Sequence, residues 1–241
     1  MGIFRELFDK AAARFITALI GEFEKRRYHP HRLLLEQAQQ EAADYASRNM
    51  ANAVILKDQK EVLGFALSRM DDNGSILEFG VASGDSIRLI AGMVNRPVHG
   101  FDSFEGLPED WGGRHEGKGH YSTNGQLPAV PSNVTLHKGW FENTLDSFCQ
   151  SNDQSASFLH IDCDLYSSTR TVLEHLKTRI RPGTIIVFDE YFNFTSWKNH
   201  EFKAFHEFVK MHQVEYDYLC WGYQQVAVMI RRKPTIEAPE G

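Results

Sequence analysis

The residues best suited to chemistry are acidic side chains at the ends of two consecutive apolar runs. Asp162 ends the run Ser157–Asp162, and Asp189 and Glu190 end the next run, which begins at Thr184. If these runs are neighbouring parallel strands, the three carboxylates converge at one edge of a sheet. Clustered carboxylates repel one another and are costly to desolvate, and a hard divalent cation offsets that repulsion. We therefore predict Asp162, Asp189 and Glu190 as ligands of Mg²⁺, which binds carboxylates together with waters and substrate oxygens.

A metal at this place would act on a substrate hydroxyl. A cation that binds such a hydroxyl lowers its pKa and yields an oxyanion nucleophile at neutral pH, and a nearby base can remove the proton. We predict Asp162, His160 and Glu142 as catalytic residues. The candidate bases are His160, His115, His120, Glu142 and Glu190. A buried core histidine is the other interpretation of His160, and a helix cap is the other interpretation of Asp164.

A glycine-containing turn follows the first predicted strand, Ser75–Val81. Glycines let the backbone turn tightly and approach a ligand without a Cβ in the way, and Gly80 and Gly84 stand in this turn, just after Glu78. A dinucleotide site needs a third glycine in the pattern G-x-G-x-x-G. A carboxylate at this place suits a cationic or amine-bearing ligand, such as the methionyl end of S-adenosylmethionine. The alternative is a simple strand-to-helix turn in which Glu78 pairs with a local cation.

Two later strand ends would complete a nucleoside pocket. Asp102 ends the second predicted strand, where an acidic residue accepts hydrogen bonds from a ribose diol. The third strand leads into Gly139, Trp140 and Phe141, and a small residue followed by aromatics can stack an adenine ring. The alternative is that these aromatics are core residues at a helix start. The predicted cofactor contacts are Glu78, Gly80, Ser83, Gly84, Ser86, Asp102, Ser103, Gly139, Trp140, Phe141 and Asp162.

The elements that must position these residues are strands and helices in alternation after about residue 74. The predicted strands are Ser75–Val81, Val98–Asp102, Val134–Lys138, Ser157–Asp162 and Thr184–Asp189. Continuous apolar strands separated by helices indicate a parallel sheet covered on both faces. The last two strands, at about Glu215–Trp221 and Gln225–Arg231, are joined by too few residues for a parallel crossover. The predicted fold is therefore doubly wound α/β, with a seven-stranded, mostly parallel sheet and a C-terminal antiparallel strand.

The chain before this sheet is predicted to be helical throughout. Apolar residues recur at helical spacing in residues 1–70, with a break at Pro30 and a third helix at about 51–70. We divide the chain into this helical region, 1–70, and a core, 71–241. Within the core, the long polar segment 108–131 is interpreted as a mobile lid over the substrate, and a disordered surface loop is the alternative.

Composition excludes several classes of protein. A net charge of −6 over 241 residues argues against a nucleic-acid binder, which needs a basic face. The first helical segment carries charged residues and no stretch is apolar enough to span a bilayer, so we expect no membrane partner. The three cysteines form no C-x-x-C pair, which favours a reducing, cytoplasmic setting.

Several segments together resemble the macrocin/mycinamicin type of O-methyltransferase, which methylates sugar hydroxyls on macrolide antibiotics. They are residues 78–86, 101–108, 160–166, 182–183 and 188–191. The resemblance implies a Rossmann-like class I methyltransferase fold, S-adenosylmethionine at Glu78, Gly80, Ser86, Asp102 and Ser103, and magnesium at Asp162, Asp189 and Glu190. It also implies a small-molecule hydroxyl substrate, and a homo-oligomer whose N-terminal helices form subunit contacts and a lid.

Two positions depart from the related patterns. The family often has Asp-Asp where this chain has Asp189-Glu190, and the Glu side chain is one methylene longer. Catechol-type O-methyltransferases place a lysine where this chain has Leu165. Two other classes are weighed against this expected enzyme. The first is an S-adenosylmethionine-binding protein of the same fold with lost chemistry, against which the retained Asp162 and Asp189 argue. The second is an enzyme with different chemistry, such as an NAD-dependent dehydrogenase, against which the missing third glycine argues.

Overall fold

One eight-stranded sheet forms the centre of the protein. The computed structural model describes residues 2–71 and 73–235, so Met1, Asp72 and residues 236–241 of the two predicted regions lie outside the described residues. The strand order is β1-β7-β8-β6-β5-β2-β3-β4. The strands are β1 (Val54–Ile55), β2 (Ser75–Phe79), β3 (Val98–Asp102), β4 (Val134–Lys138), β5 (Ala156–Ile161), β6 (Ile185–Phe188), β7 (Glu215–Trp221) and β8 (Val226–Arg232).

All neighbouring strands are parallel except those beside β8. Strand β8 is antiparallel to both β6 and β7. The predicted mostly parallel sheet with a C-terminal antiparallel strand is therefore confirmed, and its seven strands correspond to β2–β8. Strand β2 lies between β3 and β5, so the strand order reverses there. In open α/β sheets ligands bind beyond the carboxyl ends of strands at such a reversal.

Helices cover both faces of the sheet. They are α1 (Gly2–Tyr28), α2 (Pro30–Asn49), α3 (Gln59–Leu67), α4 (Asp85–Met93), α5 (Phe141–Ser151), α6 (Tyr166–Leu176), a 3₁₀ helix (Trp197–Asn199) and α7 (Glu201–His212). Side chains alternate between the faces along a strand. Leu77 and Phe79 of β2 accordingly join the core formed with α2, α5, α6 and α7, whereas Ile76 joins the core formed with α3 and α4.

The prediction that residues 1–70 are helical throughout is wrong between the second and third helices. Val54 and Ile55 pair in parallel with Cys220 and Trp221 of β7, so they extend the sheet. Helix α3 begins later than predicted because the Asp58 side chain accepts a hydrogen bond from the backbone N–H of Glu61, a strong N-cap arrangement. β-Branched residues before an aspartate cap were the local signal for this strand and helix start.

The segment 108–131 packs against the rest of the molecule. Its backbone closes on itself through a hydrogen bond from the N–H of Trp111 to the carbonyl of Glu116, at 3.0 Å. The Trp111 side chain is buried against Phe194 and His200. This anchoring does not fit a disordered surface loop. Within the part of the chain that the structure describes, no helix is long and apolar enough to cross a membrane.

Candidate active site

A cavity of about 690 Å³ opens at the carboxyl ends of the central strands. Both groups of residues that the sequence singled out contribute to its lining. The predicted residues in the lining are Gly80, Ser83, Ser86, Asp102, Ser103, Trp140, Phe141, Glu142, Asp162 and Glu190. The predicted residues outside it are Glu78, Gly84, Gly139, His160 and Asp189. The histidines His115 and His120 are exposed on the surface.

The glycine turn brings the ends of β2 and β5 close together. Gly80 has φ +92°, in the region that favours glycine, and a Cβ there would lie 1.7 Å from the carbonyl oxygen of Asp162. Gly84 has φ +85° and donates its backbone N–H to the carbonyl of Val81 at 2.7 Å. Residue 80 must therefore be glycine for the glycine turn and the end of β5 to border one cavity.

Asp102 holds the glycine turn in place. Its Oδ2 accepts hydrogen bonds from the backbone N–H groups of Val81 and Ala82, both at 2.7 Å, and its Oδ1 accepts one from Phe104 at 2.6 Å. Among the described residues Oδ1 has this one partner, which leaves a lone pair for a ligand hydroxyl in the cavity. Asp102 thus has a structural role beside the predicted contact with a ribose.

Glu78 lies beneath the cavity. It is fully buried, and its Oε1 accepts a hydrogen bond from the Ser86 hydroxyl, which reaches the cavity lining. The other oxygen, Oε2, is buried without a hydrogen-bond partner among the described residues. Ser86 therefore lies between Glu78 and any ligand of the cavity.

His160 links the two parts of the site from below. It is fully buried, with Nδ1 3.6 Å from Glu78 Oε1 and Nε2 3.7 Å from Asp189 Oδ1. Burial alone would lower the pKa of His160, but Asp189 and Glu78 raise it well above its usual value. His160 is enclosed between two carboxylates and does not line the cavity, so it does not reach a substrate there. This placement favours the core-histidine interpretation over a catalytic base.

Three carboxylates converge in the lining of the cavity. One oxygen from each of Asp162, Asp164 and Glu190 lies within 4.8 Å of the others. Burial raises the pKa of Asp162 and Glu190 well above their usual values, and neighbouring carboxylates add to the effect. Burial and the charge of Asp189 raise the pKa of Asp164 to about 7. Glu190 Oε2 is buried with no hydrogen-bond partner among the described residues.

A divalent cation fits this carboxylate cluster of Asp162, Asp164 and Glu190. Oxygen ligands at close range, an unpartnered buried oxygen and raised pKa values all describe a site that a hard cation would stabilise. Asp164 joins the group from a left-handed backbone conformation, φ +63°, which Asp tolerates better than most residues. Glu78 and His160 also come within 4.8 Å of Asp162, but neither lines the cavity.

Asp189 lies beside this cluster but is not part of it. Its Oδ1 accepts a hydrogen bond from Gln59 Nε2 at 2.7 Å and lies opposite His160. Burial alone would raise the pKa of Asp189, but His160 and Gln59 hold it below its usual value. The predicted metal set was Asp162, Asp189 and Glu190, whereas the structure brings Asp164 rather than Asp189 together with the other two.

Of three further residues of the site, the sequence interpretation missed Gln59 and Glu201, whereas Tyr121 lies in the segment that it interpreted as a substrate lid. Gln59, from the start of α3, and Tyr121, from the segment 108–131, both line the cavity. Burial and the charge of Asp164 raise the pKa of Tyr121 to about 12. Glu201, the first residue of α7, is fully buried, and its Oε2 accepts a hydrogen bond from the backbone N–H of Glu190 at 3.1 Å. For Asp164, the additional ligand of the carboxylate cluster, the sequence did offer a usable signal, namely its D-x-D spacing with Asp162.

A tyrosine network anchors the chain after Glu190. The Tyr218 hydroxyl lies 2.8 Å from that of Tyr191, 2.6 Å from that of Tyr45 on α2 and 3.2 Å from that of Tyr216. His206 Nε2, on α7, lies 3.0 Å from the Tyr45 hydroxyl and 3.1 Å from the Tyr191 hydroxyl. Three separate elements, α2, α7 and β7, therefore hold the residue next to Glu190.

Comparison with known proteins finds related sequences over the part of the chain that carries the site. A sequence family described as a methyltransferase domain matches residues 77–191, which include the glycine turn and the carboxylate cluster. The 8-demethyl-8-(2,3-dimethoxy-α-L-rhamnosyl)-tetracenomycin-C 4'-O-methyltransferase of Streptomyces olivaceus is 33% identical over 143 residues, 49% of this chain and 53% of that protein. The chain spans about half the length of this curated relative.

Solved structures share the fold. The calicheamicin methyltransferase CalS11 superimposes with a TM-score of 0.59 at 21% identity, over 70% of this chain and 77% of that one. The O-methyltransferase NovP gives a TM-score of 0.56 at 20% identity, over 73% of this chain and 80% of that one. Both likenesses concern the fold alone.

Proposed function

We propose that the chain is an S-adenosylmethionine-dependent O-methyltransferase that methylates a hydroxyl of a small molecule, a sugar or another natural-product intermediate. The observation that carries this proposal is that the glycine turn and the carboxylate cluster line one cavity. The methyltransferase-domain match and the tetracenomycin-type relative support it, since that relative is named for methyl transfer to an oxygen of a glycosylated natural product.

The cofactor half of the cavity is assigned to the turn and the aromatic strand end. The Ser86 hydroxyl and the backbone of the turn would receive the methionyl end, with Glu78 supplying negative charge from beneath. Asp102 Oδ1 would accept a ribose hydroxyl, and Trp140 and Phe141 would contact the adenine. These are proposals that rest on the positions of the five residues, four of which line the cavity.

We propose Asp162, Asp164 and Glu190 as the residues that would hold a divalent cation, with Mg²⁺ as the best fit to oxygen ligands. Asp189 would have a positioning role: through its contacts with His160 and Gln59 it would help to orient the cluster. When bound, the cation would make an acceptor hydroxyl more acidic. We propose Asp162 as the residue that would receive the hydroxyl proton, because it lines the cavity next to the turn.

The remaining steps belong to this chain's own side chains. Glu201 would hold the backbone of Glu190, so that the carboxylate faces the cavity rather than solvent. The cavity walls would align the acceptor oxygen with the sulfonium methyl and exclude water, because displacement needs an in-line approach. A binding protein of the same fold with lost chemistry is the alternative, and the unpartnered Glu190 Oε2 in the cluster does not favour it.

We also propose that the N-terminal helices contact a second copy of the chain, as the resemblance implied. Phe15, Leu19 and Phe23 lie four residues apart on α1 and are 68%, 60% and 65% exposed. Large apolar side chains in one exposed stripe mark a surface that another protein covers. Sedimentation velocity of the full chain should show a dimer or larger assembly, and Phe15→Glu/Phe23→Glu should shift it to monomer. A monomeric full chain would contradict the proposal.

The prediction of a cytoplasmic setting also stands as a proposal. Cys149, Cys163 and Cys220 are all free thiols, two of them buried. Free, buried thiols persist most readily where the surroundings are reducing.

Titration calorimetry tests the proposed function most directly. S-adenosylmethionine should bind and NAD should not, and Mg²⁺ should bind to the wild type but weakly to Asp164→Asn. S-adenosylhomocysteine should accumulate when a glycosylated acceptor and Mg²⁺ are added. Binding of NAD in place of S-adenosylmethionine would refute the assignment of the nucleoside site.

A further inference from the structure

Tyr121 presents an unpartnered phenol to the cavity. The residue lies on the segment 108–131, lines the cavity and is 46% exposed. Its ring contacts the ring of His120 edge to face, with 4.4 Å between the ring centroids. Its hydroxyl has no hydrogen-bond partner among the described residues. A tyrosine that is half withdrawn from water usually finds such a partner, so this hydroxyl is available to a molecule in the cavity.

The backbone of Tyr121 is strained. Its φ is +64°, in the left-handed region, where a bulky L-residue is an outlier. Glycine or asparagine would occupy this place at a lower cost in free energy. Strain of this kind persists only where the surroundings enforce it, and it is concentrated at active sites and ligand clamps. The strain therefore directs attention to what the side chain does in the cavity.

Backbone hydrogen bonds enforce this conformation. The N–H of Leu107 donates to the carbonyl of His120 at 3.0 Å, and the N–H of Gly119 donates to the carbonyl of Leu107 at 2.9 Å. Gly106 has φ +82°, and a Cβ there would lie 2.3 Å from the carbonyl oxygen of His120. The chain just before Tyr121 thus lies directly on residues 106–107, which also line the cavity. This brace fixes the Tyr121 ring in the cavity wall.

The carboxylate cluster lies close enough to act on the Tyr121 hydroxyl. Burial and the charges of Asp164, Glu116 and Glu190 raise the pKa of Tyr121, so the phenol keeps its proton at neutral pH. Ionised carboxylates only accept hydrogen bonds, whereas a phenol also donates. The reacting oxygen of the acceptor is assigned to the cluster, so the donor beside it remains for a different oxygen of the same molecule.

We propose that Tyr121 is a specificity-determining residue of the acceptor side of the cavity. Its ring packs against an apolar face of the acceptor, and its hydroxyl donates to an acceptor oxygen other than the one that is methylated. The inference rests on the proposed methyltransferase function and adds a residue that selects the acceptor. Tyr121 takes no part in methyl transfer itself, so its loss raises the KM for the acceptor and leaves kcat nearly unchanged.

Acceptor binding without turnover tests the inference. The probe is methyl α-L-rhamnopyranoside, titrated into the complex of the full chain with S-adenosylhomocysteine and Mg²⁺ and followed by ligand-observed NMR. Tyr121→Phe should weaken its binding by about three- to tenfold, the scale for one neutral hydrogen bond. Tyr121→Asn removes the ring as well and should weaken it by at least about thirtyfold. Affinity for S-adenosylhomocysteine should stay within about twofold of wild type in both variants, because the cofactor contacts are unchanged.

Urea unfolding separates a ligand contact from a packing role. Asparagine tolerates a left-handed backbone, so the unfolding midpoint of Tyr121→Asn should lie at or above that of the wild type. Gln213→Asn is the matched control, since Gln213 has φ +53°, is exposed and lies outside the cavity lining. Its midpoint should rise for the same reason, and its affinity for the glycoside should equal that of the wild type.

The outcomes that contradict the inference are distinct from failure of the proposed function. Wild type that binds the glycoside no more tightly than Tyr121→Asn does, or does not bind it at all, would overturn the inference. A lower unfolding midpoint of Tyr121→Asn together with weaker S-adenosylhomocysteine binding would also overturn it, since that pair of results marks a packing role. Wild type that does not bind S-adenosylhomocysteine would instead count against the proposed function.

Discussion

Replacing Gly80 with alanine is the sharpest test of how the two halves of the site meet. The added Cβ would lie 1.7 Å from the carbonyl oxygen of Asp162 and 2.7 Å from its carbonyl carbon. Both contacts are with backbone, so no rotamer change relieves them. A separation of 3.0 Å, the shortest that real Cβ atoms show, requires the ends of β2 and β5 to move apart by 3.0 − 1.7 = 1.3 Å.

The cost has two parts. An L-residue with a positive φ costs about 1–2 kcal/mol, and forcing an extra methyl into a packed place costs about 1–3 kcal/mol. We expect Gly80→Ala to lower the free energy of unfolding by about 2–5 kcal/mol in total. S-adenosylmethionine binding should be lost, because the displaced turn carries Val81 and Ala82 away from Asp102.

Gly92→Ala is the matched control for this substitution. Gly92 lies in α4 with nothing within 4 Å of an added Cβ. Alanine there should stabilise the protein by about 0.5–1 kcal/mol, because glycine is costly inside a helix. Urea unfolding and calorimetric titration of both variants give the two readouts. Gly80→Ala with wild-type stability and wild-type cofactor affinity would refute the close approach of the two strand ends.

Three further predictions follow from the site and its surroundings. Asp102→Ala should weaken S-adenosylmethionine binding by about 1–3 kcal/mol, the scale for a lost hydrogen-bond partner, whereas calorimetry of Asp162→Ala should give an affinity within about tenfold of wild type. Because the pKa of Asp164 is raised to about 7 in the folded protein from 3.8, the folded state retains a proton that the unfolded chain releases. The melting temperature without metal should therefore fall between about pH 4 and 7, and Mg²⁺ should restore it above pH 7; equal slopes with and without Mg²⁺ would contradict this. Tyr218→Phe removes a hydroxyl shared by Tyr45, Tyr191 and Tyr216 and should lower the free energy of unfolding by about 1–3 kcal/mol in urea, whereas Tyr223→Phe, at an exposed side chain, should change nothing.

Much of the fold followed from the periodicity of the sequence, since each central strand is a continuous apolar run bounded by turn residues. The short loop near Gly222 identified the antiparallel pair, because a parallel crossover does not fit in so few residues. Strand β1 was not predictable in the same way. Two residues give no period, and their pairing depends on a partner more than 160 residues later, at Cys220 and Trp221.

The site was predicted at the level of strand ends but not of individual oxygens. The convergence of Asp162 and Glu190 followed from parallel topology. Whether Asp164 or Asp189 joins them depends on side-chain contacts that spacing does not reveal, such as those of Asp189 with Gln59 and His160. Gln59 comes from a helix far earlier in the chain, and no spacing rule connects it to Asp189.

The tyrosine network bears on where the chain could be cut. Tyr45 belongs to the helical region before the core, yet its hydroxyl is shared with Tyr218 and His206, and β1 adds an edge to the sheet. A fragment starting at residue 71 would lose this hydroxyl, that edge strand and the buried side chains of α3, including Val62 and Leu63. The core after residue 70 is therefore not expected to melt independently of the helical region before it, and limited proteolysis should yield no folded fragment from residue 71 onward.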